Sequence, residues 1–269
     1  MPKAILLKIN KRQRYLIQSL LIIFFLYLYW IDVFDFSVYS LIALILVINS
    51  FGSLLIHYPN INLKNVFISI LMPTFLLLGA VLFIDSFPNL DNIFMYFVLF
   101  FFGFIHYLVS LVDNVFLVIQ SREEAIPLYR VAAAWSQILQ TVVAIPLFAG
   151  IFKLNIGSTY QALLIFFSTV FFAYYQIWSY TFDKEAKEAG VGEKIYLILL
   201  VAFLTSVCSI TTSFVPSESF LRALLVSSVL MFGLTYITAH LKNDISQKIM
   251  FQFASIISLF LILLLLFKP

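Results

Sequence analysis

Three polar residues within one apolar stretch, His106, Ser110 and Asp113, have the side-chain types and the spacing for proton chemistry. Their spacing of i, i+4 and i+7 places them on one face of a helix. Counted from Ile93, His106 would lie about 20 Å and Asp113 about 30 Å along that helix. This face predicts a histidine–carboxylate proton relay or a polar lining that opens to the cytoplasm. The structural alternative is a buried histidine hydrogen-bonded to a neighbouring helix, with Asp113 ending the span among lipid headgroups.

Other polar residues interrupt other apolar stretches. Asn49, Ser53 and His57 share a helical face at i, i+4 and i+8, and Gln137 and Gln140 lie one turn apart. Amides and hydroxyls inside a membrane usually form interhelical hydrogen bonds, each worth about 0.6 kcal/mol on average. We therefore favour a structural role for these polar stripes. The secondary candidates for a functional site are Asn49, Ser53, His57, Gln137, Gln140 and His240.

The chain has three histidines, which would all lie toward the inner side of the membrane: His57, His106 and His240. Asp113 and Asp244 would lie at a similar level. If the three spans were neighbours, these side chains could bind a metal or a haem. No spacing along the chain forces that arrangement, so we predict no metal, no cofactor and no catalytic residue. The sequence also has neither a GxxxxGK[ST] phosphate loop nor an HExxH zinc motif, which favours a protein that is not an enzyme.

These candidate residues lie in apolar stretches long enough to cross a membrane. The 269 residues are 63% hydrophobic and 11% charged, whereas soluble domains are about half apolar and about a quarter charged. Runs of about twenty apolar residues match the hydrocarbon thickness of a bilayer. We predict an all-α, polytopic transmembrane helix bundle that forms a single membrane domain over residues 1–269. Its nine spans would cover roughly 15–31, 38–56, 66–84, 93–112, 131–152, 158–181, 195–215, 221–240 and 249–267. The sixth span would continue as a solvated helix over 183–189 and stop at Gly190.

The positions of the basic residues predict the orientation of these spans. With the N-terminus in the cytoplasm and the C-terminus outside, all but three of the 16 lysines and arginines fall in inside segments. The exceptions are Lys153, Arg222 and Lys268. Such a bias on short loops is the usual mark of the cytoplasmic side. The first span follows a basic cluster but no small-residue cleavage pattern, so we expect it to be retained.

Together these features predict a multi-pass protein of the cell membrane whose main partner is the lipid bilayer. A net charge of +3 offers no basic face for nucleic acid. The leading hypothesis is a translocator of a small solute, lipid or ion along the face from His106 to Asp113. One alternative is a non-catalytic scaffold or complex subunit, bound to another membrane protein or in a homo-oligomer. Another is a membrane-embedded enzyme that acts on lipid through His106, Asp113 and Glu123 or Glu124.

Overall fold

A computed structural model describes residues 10–33, 37–58, 63–87, 91–122, 128–183 and 185–267 of the chain. In these residues the chain forms nine α-helices and no strand. The helices are α1 (Lys11–Trp30), α2 (Val38–His57), α3 (Leu63–Ser86), α4 (Asn92–Arg122), α5 (Leu128–Lys153), α6 (Ser158–Tyr180), α7 (Val191–Ser213), α8 (Ser219–Leu241) and α9 (Gln247–Leu266).

Eight of the described helices, α2 to α9, are long and apolar enough to cross a membrane. The protein is therefore a multi-pass membrane protein made of helices, the form in which each segment satisfies its own backbone hydrogen bonds within lipid. The exception is α1, whose apolar surface is diluted by Lys11, Arg14 and Gln18. Which terminus lies on which side of the membrane stays a prediction.

Each of the nine predicted spans corresponds to one helix, and the largest difference in length is in α4. Its predicted span ends at 112, but the helix continues to Arg122. The residues from Val115 to Ile119 are apolar and include no glycine or proline that would end a helix. Asp113 consequently lies inside a continuous helix rather than at its end.

The predicted helical continuation after the sixth span is wrong. α6 ends at Tyr180, and the described residues that follow form turns and irregular structure. Gly190 does not stop a helix but is the N-cap of α7. In this connection the backbone N–H of Lys187 donates to the carbonyl oxygen of Leu241, at 2.8 Å. A tertiary hydrogen bond thus replaces the local bond that a helix would have made.

The contacts of the chain divide it into two compact units, Met1–Leu117 and Val118–Pro269, here called unit 1 and unit 2. The prediction of a single membrane domain stays a prediction. In unit 1, α2 packs against both α1 and α3. The Arg14 guanidinium of α1 donates to the carbonyl oxygens of Leu55, Ile56 and Tyr58, at 3.3, 3.5 and 3.4 Å. A cation at this position satisfies carbonyl groups that the end of α2 leaves without a helical donor.

Unit 2 contains α5 to α9. The main pairs are α6 with α7, α5 with α8, and α8 with α7 and α9. The rings of Phe148 and Phe172 meet edge to face between α5 and α6, with their centroids 6.4 Å apart. Gly233 allows α8 to approach Val201 of α7, because a Cβ atom at Gly233 would clash with that valine. Among the residues of α9 only Leu264 is buried.

Candidate functional site

A small cavity in unit 1 is the place where the predicted polar faces meet. Its volume of about 10 Å³ is room for about one water molecule. All four helices of the unit contribute to its wall. The lining residues are Tyr15 and Gln18 from α1, Asn49 and Ser53 from α2, Ser69 and Pro73 from α3, and Ser110 and Asp113 from α4. We call this space the unit 1 cavity.

The α4 side of the cavity carries the three primary candidates. His106, Ser110 and Asp113 are all buried, with 0%, 4% and 1% of their surface exposed. The Ser110 hydroxyl donates to the carbonyl oxygen of His106, at 2.8 Å. Asp113 and Tyr15 line the same cavity, from α4 and α1. Ser110 and Asp113 line the cavity, whereas His106 lies one turn away along α4.

His106 forms a polar contact with α1. Its Nδ1 atom lies 2.7 Å from the Ser19 hydroxyl oxygen, which is also 3.0 Å from the carbonyl oxygen of Tyr15. The Ser19 hydroxyl has one hydrogen, so it donates either to the imidazole or to that carbonyl. The His106 Nε2 atom has no hydrogen-bond partner among the described residues. A buried histidine bound to a neighbouring helix is thus present, as the structural alternative requires.

On the α2 side, Asn49 and Ser53 face the interior and His57 does not share their site. The Asn49 Oδ1 atom accepts from Gln18 Nε2 at 3.2 Å, and the Asn49 amide donates to the Thr74 hydroxyl at 3.3 Å. The Ser53 and Ser69 hydroxyls are 2.7 Å apart. His57 is half-buried, and its Nδ1 atom bonds the carbonyl oxygen of Ser53 in its own helix, at 2.8 Å. It does not line the cavity.

Sequence reasoning missed the contribution of α1 to this site. Tyr15, Gln18 and Ser19 are buried, although they precede or interrupt an apolar stretch. Their spacing of i, i+3 and i+4 could have indicated a shared site, since it places all three side chains on one face of a helix. Ser69 of α3 was also missed. As a lone serine in an apolar run, it carries no comparable pattern.

Gln137 and Gln140 lie in unit 2, where they form interhelical hydrogen bonds. Gln137 donates to the Thr235 hydroxyl of α8, and Gln140 donates to the Gln176 side-chain oxygen of α6. Gln176 in turn donates to the Thr238 hydroxyl of α8, at 3.0 Å. These amides join α5, α6 and α8 through bonds that stabilise the packing of unit 2.

His240, the remaining secondary candidate, belongs to a charged cluster at one end of unit 2. The Glu193 carboxylate accepts from both His240 Nε2 and Lys187 Nζ, each at 2.6 Å. A second cavity of about 430 Å³ lies beside this cluster, and its lining includes Asp183, Lys187 and Lys194. Its acidic and basic side chains are mixed, and several of them are already paired. The cavity therefore has no single charge that would select a ligand.

Lys242, which follows the end of α8, is also part of this charged end. Its Nζ atom lies 2.8 Å from Asp183 Oδ2 and 3.9 Å from Glu185 Oε2. Burial by itself would lower the pKa of Lys242, but the hydrogen bond and charge of Asp183, with the charges of Tyr180 and Glu185, raise it above 10.5. The ammonium is thereby held in its charged form.

The three histidines do not form a metal site with the described acidic residues. Over the described ranges, no group of three or more His, Cys, Asp or Glu side chains is close enough to hold a metal ion. Glu123 and Glu124, which the enzyme hypothesis invokes, lie outside the described residues. Comparisons with protein-family models, curated proteins and solved structures give no significant match to this chain. The geometry of the unit 1 cavity is therefore the main guide to function.

Proposed function

We propose that this multi-pass membrane protein translocates a small solute or ion, and that the unit 1 cavity is its binding site. The observation that carries the proposal is that two predicted polar faces, one of α4 and one of α2, line the same buried cavity. Asp113 is the acidic member of that lining. We place the protein in the cell membrane, where such an activity would connect the cytoplasm with the outside.

The burial of Asp113 supports a functional role. A carboxylate within a membrane span is costly to insert, and such residues commonly mark the path of an ion or substrate. Purely structural hydrogen bonds are available from neutral amides, as Gln140 and Gln176 demonstrate in unit 2. Helix packing in this protein can therefore use hydrogen bonds between neutral side chains, which favours a functional role for the acidic side chain of Asp113.

The size of the cavity favours a small cargo over a lipid. A volume of about 10 Å³ holds about one water molecule and is too small for a lipid headgroup or an acyl chain. Translocation would require the cavity to open in turn to each side of the membrane. Pro73 of α3 lies in the cavity wall, inside its helix. Because proline interrupts the backbone hydrogen bonds, α3 has a natural point of bending at the site.

The test is transport by purified protein in liposomes, with an Asp113→Asn variant for comparison. Flux of Na⁺, K⁺ and protons, of uncharged solutes and of a fluorescent lipid would be measured in parallel. We expect the wild-type protein to move at least one species and Asp113→Asn to lose that flux while staying monodisperse. Ser258→Ala is the matched control, since Ser258 is exposed and bonds only its own helix.

Two results would contradict the proposal. Absence of flux for every species in the wild-type protein would reject a translocator. Undiminished flux in Asp113→Asn would remove the unit 1 cavity from the path. An Asp113→Glu variant, which keeps the charge, separates a loss of function from a loss of folding.

A non-catalytic scaffold or complex subunit is the second candidate, and α9 favours it. Only Leu264 of this helix is buried, and α9 packs against α8. The exposed apolar residues of α9 are available to lipid or to another transmembrane helix. Photo-crosslinkers at Leu259 and Ile262, both exposed, would capture a stoichiometric protein partner if this function holds. Crosslinks to lipid alone would reject it.

A further inference from the structure

We propose that the larger cavity, in unit 2, binds a small zwitterion, a molecule that carries a primary ammonium group and an acidic anion close together. A free amino acid and the headgroup of phosphatidylethanolamine both have this chemistry. This site goes beyond the proposed function and does not involve the unit 1 cavity. It is supported by the size of the cavity in unit 2, by the charges in its wall and by the bonds that hold that wall in place.

This cavity has the size of a small-molecule site and a mixed lining. Its volume is about 430 Å³, and ligand pockets usually have volumes of about 300–1,000 Å³. The lining residues come from α6, from the connection after α6, from α7 and from α8. They include apolar and charged side chains, namely Ile177, Leu241, Asp183, Lys187, Glu188 and Lys194. We call this space the unit 2 cavity.

The unit 2 cavity lies where two membrane-spanning helices end. α6 and α8 are both long and apolar enough to cross a membrane, and they end at Tyr180 and Leu241. Both of these residues line the cavity. The cavity is therefore at the level of the headgroups that border the hydrocarbon core. A dissolved molecule and a lipid headgroup can both reach this level.

Two of the four described charged residues in the lining already have a partner of opposite charge. The Asp183 Oδ2 atom lies 2.8 Å from Lys242 Nζ, and the Lys187 Nζ atom lies 2.6 Å from Glu193 Oε1. Because each pair is neutral as a whole, neither attracts a ligand strongly by its net charge. The charges that can select a ligand are those of Glu188 and Lys194.

Glu188 and Lys194 supply one negative and one positive charge to the same cavity. Within the described part of the chain, neither side chain forms an ion pair, either with the other or with a third residue. A simple cation would be attracted by Glu188 and repelled by Lys194, and a simple anion would meet the reverse. A zwitterion satisfies both: its ammonium group donates to the Glu188 carboxylate, and its anion accepts from the Lys194 ammonium.

A cluster of bonds beside the cavity holds these two charges in its wall. Glu188 directly follows Lys187, and Lys194 directly follows Glu193. The ion pair between Lys187 and Glu193 therefore ties together the two segments that carry the free charges. The backbone N–H of Lys187 also donates to the carbonyl oxygen of Leu241, at 2.8 Å, which fixes the connection to the end of α8. A wall that is fixed before the ligand arrives loses less conformational freedom on binding.

Binding can be measured on the purified protein in an uncharged detergent, through its melting temperature. The probes are the free amino acids and dihexanoyl phosphatidylethanolamine, and the comparison compounds are ethylamine and acetate, which each carry only one of the two charges. A ligand that binds only the folded protein raises the melting temperature in a saturable way. We expect saturable stabilisation by at least one zwitterion and none by ethylamine, by acetate or by a mixture of the two. Stabilisation by an amino acid would identify a dissolved ligand, and stabilisation by the lipid would identify a headgroup; either supports the site.

Variants test whether the two free charges bind the zwitterion. Glu188→Gln and Lys194→Gln should each weaken the affinity about tenfold, because each removes a charge-assisted hydrogen bond to the ligand. The matched controls Glu218→Gln and Lys248→Gln, at exposed positions outside the lining, should leave the affinity unchanged. Combining Glu188→Lys with Lys194→Glu should restore part of the binding, since a zwitterion can bind in the opposite orientation. A purely structural loss would not be restored by this exchange.

Three results would overturn the zwitterion site. These are the absence of stabilisation by every zwitterion, equal stabilisation by ethylamine or acetate, and wild-type affinity in both Glu188→Gln and Lys194→Gln. None of these measurements involves flux through the unit 1 cavity. The zwitterion site and the proposed function can therefore fail separately.

Discussion

The Nδ1 atom of His106 lies 2.7 Å from the Ser19 hydroxyl oxygen, which joins α4 to α1 inside unit 1. Both residues are buried. The contact explains how the sequence accommodates an imidazole in an apolar stretch, because a buried polar group requires a hydrogen bond. It also gives α1, the least apolar of the described helices, a specific partner within the unit.

Replacing Ser19 by alanine should destabilise unit 1. The change removes the partner of His106 and leaves a buried ring nitrogen unsatisfied, at a cost of about 0.6–1.7 kcal/mol for a hydrogen bond in a membrane protein. Thermal unfolding in detergent micelles measures the loss. Ser258→Ala removes a hydroxyl that bonds only Ala254 of its own helix, at 2.9 Å, and should have little effect. Equal stability of the two variants would show that the contact with His106 contributes nothing.

Replacing Gly52 by alanine should damage the unit 1 cavity with little loss of stability. A Cβ atom at Gly52 would lie 2.6 Å from the Gln18 Nε2 atom, so the Gln18 amide must move away from Asn49. The end of a glutamine side chain moves easily, and alanine favours the helix by about 1 kcal/mol. We expect a nearly unchanged melting temperature but reduced flux of the species that the wild-type protein transports.

The matched control for Gly52 is Gly192→Ala in α7. A Cβ atom there would meet nothing within 4 Å. Gly192→Ala should leave that flux unchanged. Loss of flux in both variants would mean that the effect of Gly52→Ala is not local.

Replacing Gly233 by alanine should destabilise unit 2, since the new methyl group would clash with Val201. The valine side chain is stiff at χ1 and cannot swing aside. Overpacking of this kind costs about 1–3 kcal/mol. Adding Val201→Ala to Gly233→Ala should recover part of the loss in a thermal-unfolding cycle, because the two sites are in contact. Purely additive effects would contradict the close approach of α7 and α8.

The ion pair between Lys242 and Asp183 should stabilise the protein in a pH-dependent way. The folded protein raises the pKa of Lys242 above 10.5, so the stabilisation is fully present below that pH and is lost as the pH rises through the folded value. We expect the melting temperature to differ between wild type and Asp183→Asn at pH 8 to 10. The difference should shrink as the pH rises through the raised pKa of Lys242 in the folded protein. A difference that stays constant through that range would exclude the pair as its source.

The sequence located most of the helices and one side of the candidate site. Asn49, Ser53, Ser110 and Asp113 were identified from helical spacing alone and line the same cavity. Their faces could be predicted because the 3.6-residue period fixes which side chains of one helix point together. The spacing could not identify which other helix each face would meet. For that reason His57 and His240 were grouped with His106, although the structure gives each of them different partners.

By itself, then, the sequence determined that the chain is a set of apolar helices. Each helix forms its backbone hydrogen bonds within its own segment, so it does not depend on distant residues. The length of an apolar run can be read directly from the amino-acid sequence. Only the tertiary structure decided that Tyr15 and Gln18 of α1 complete the wall around Asp113, and that Gln137 and Gln140 bond within unit 2 instead. Contacts between helices depend on how side chains of distant segments fit together, and no local period along the chain records that fit.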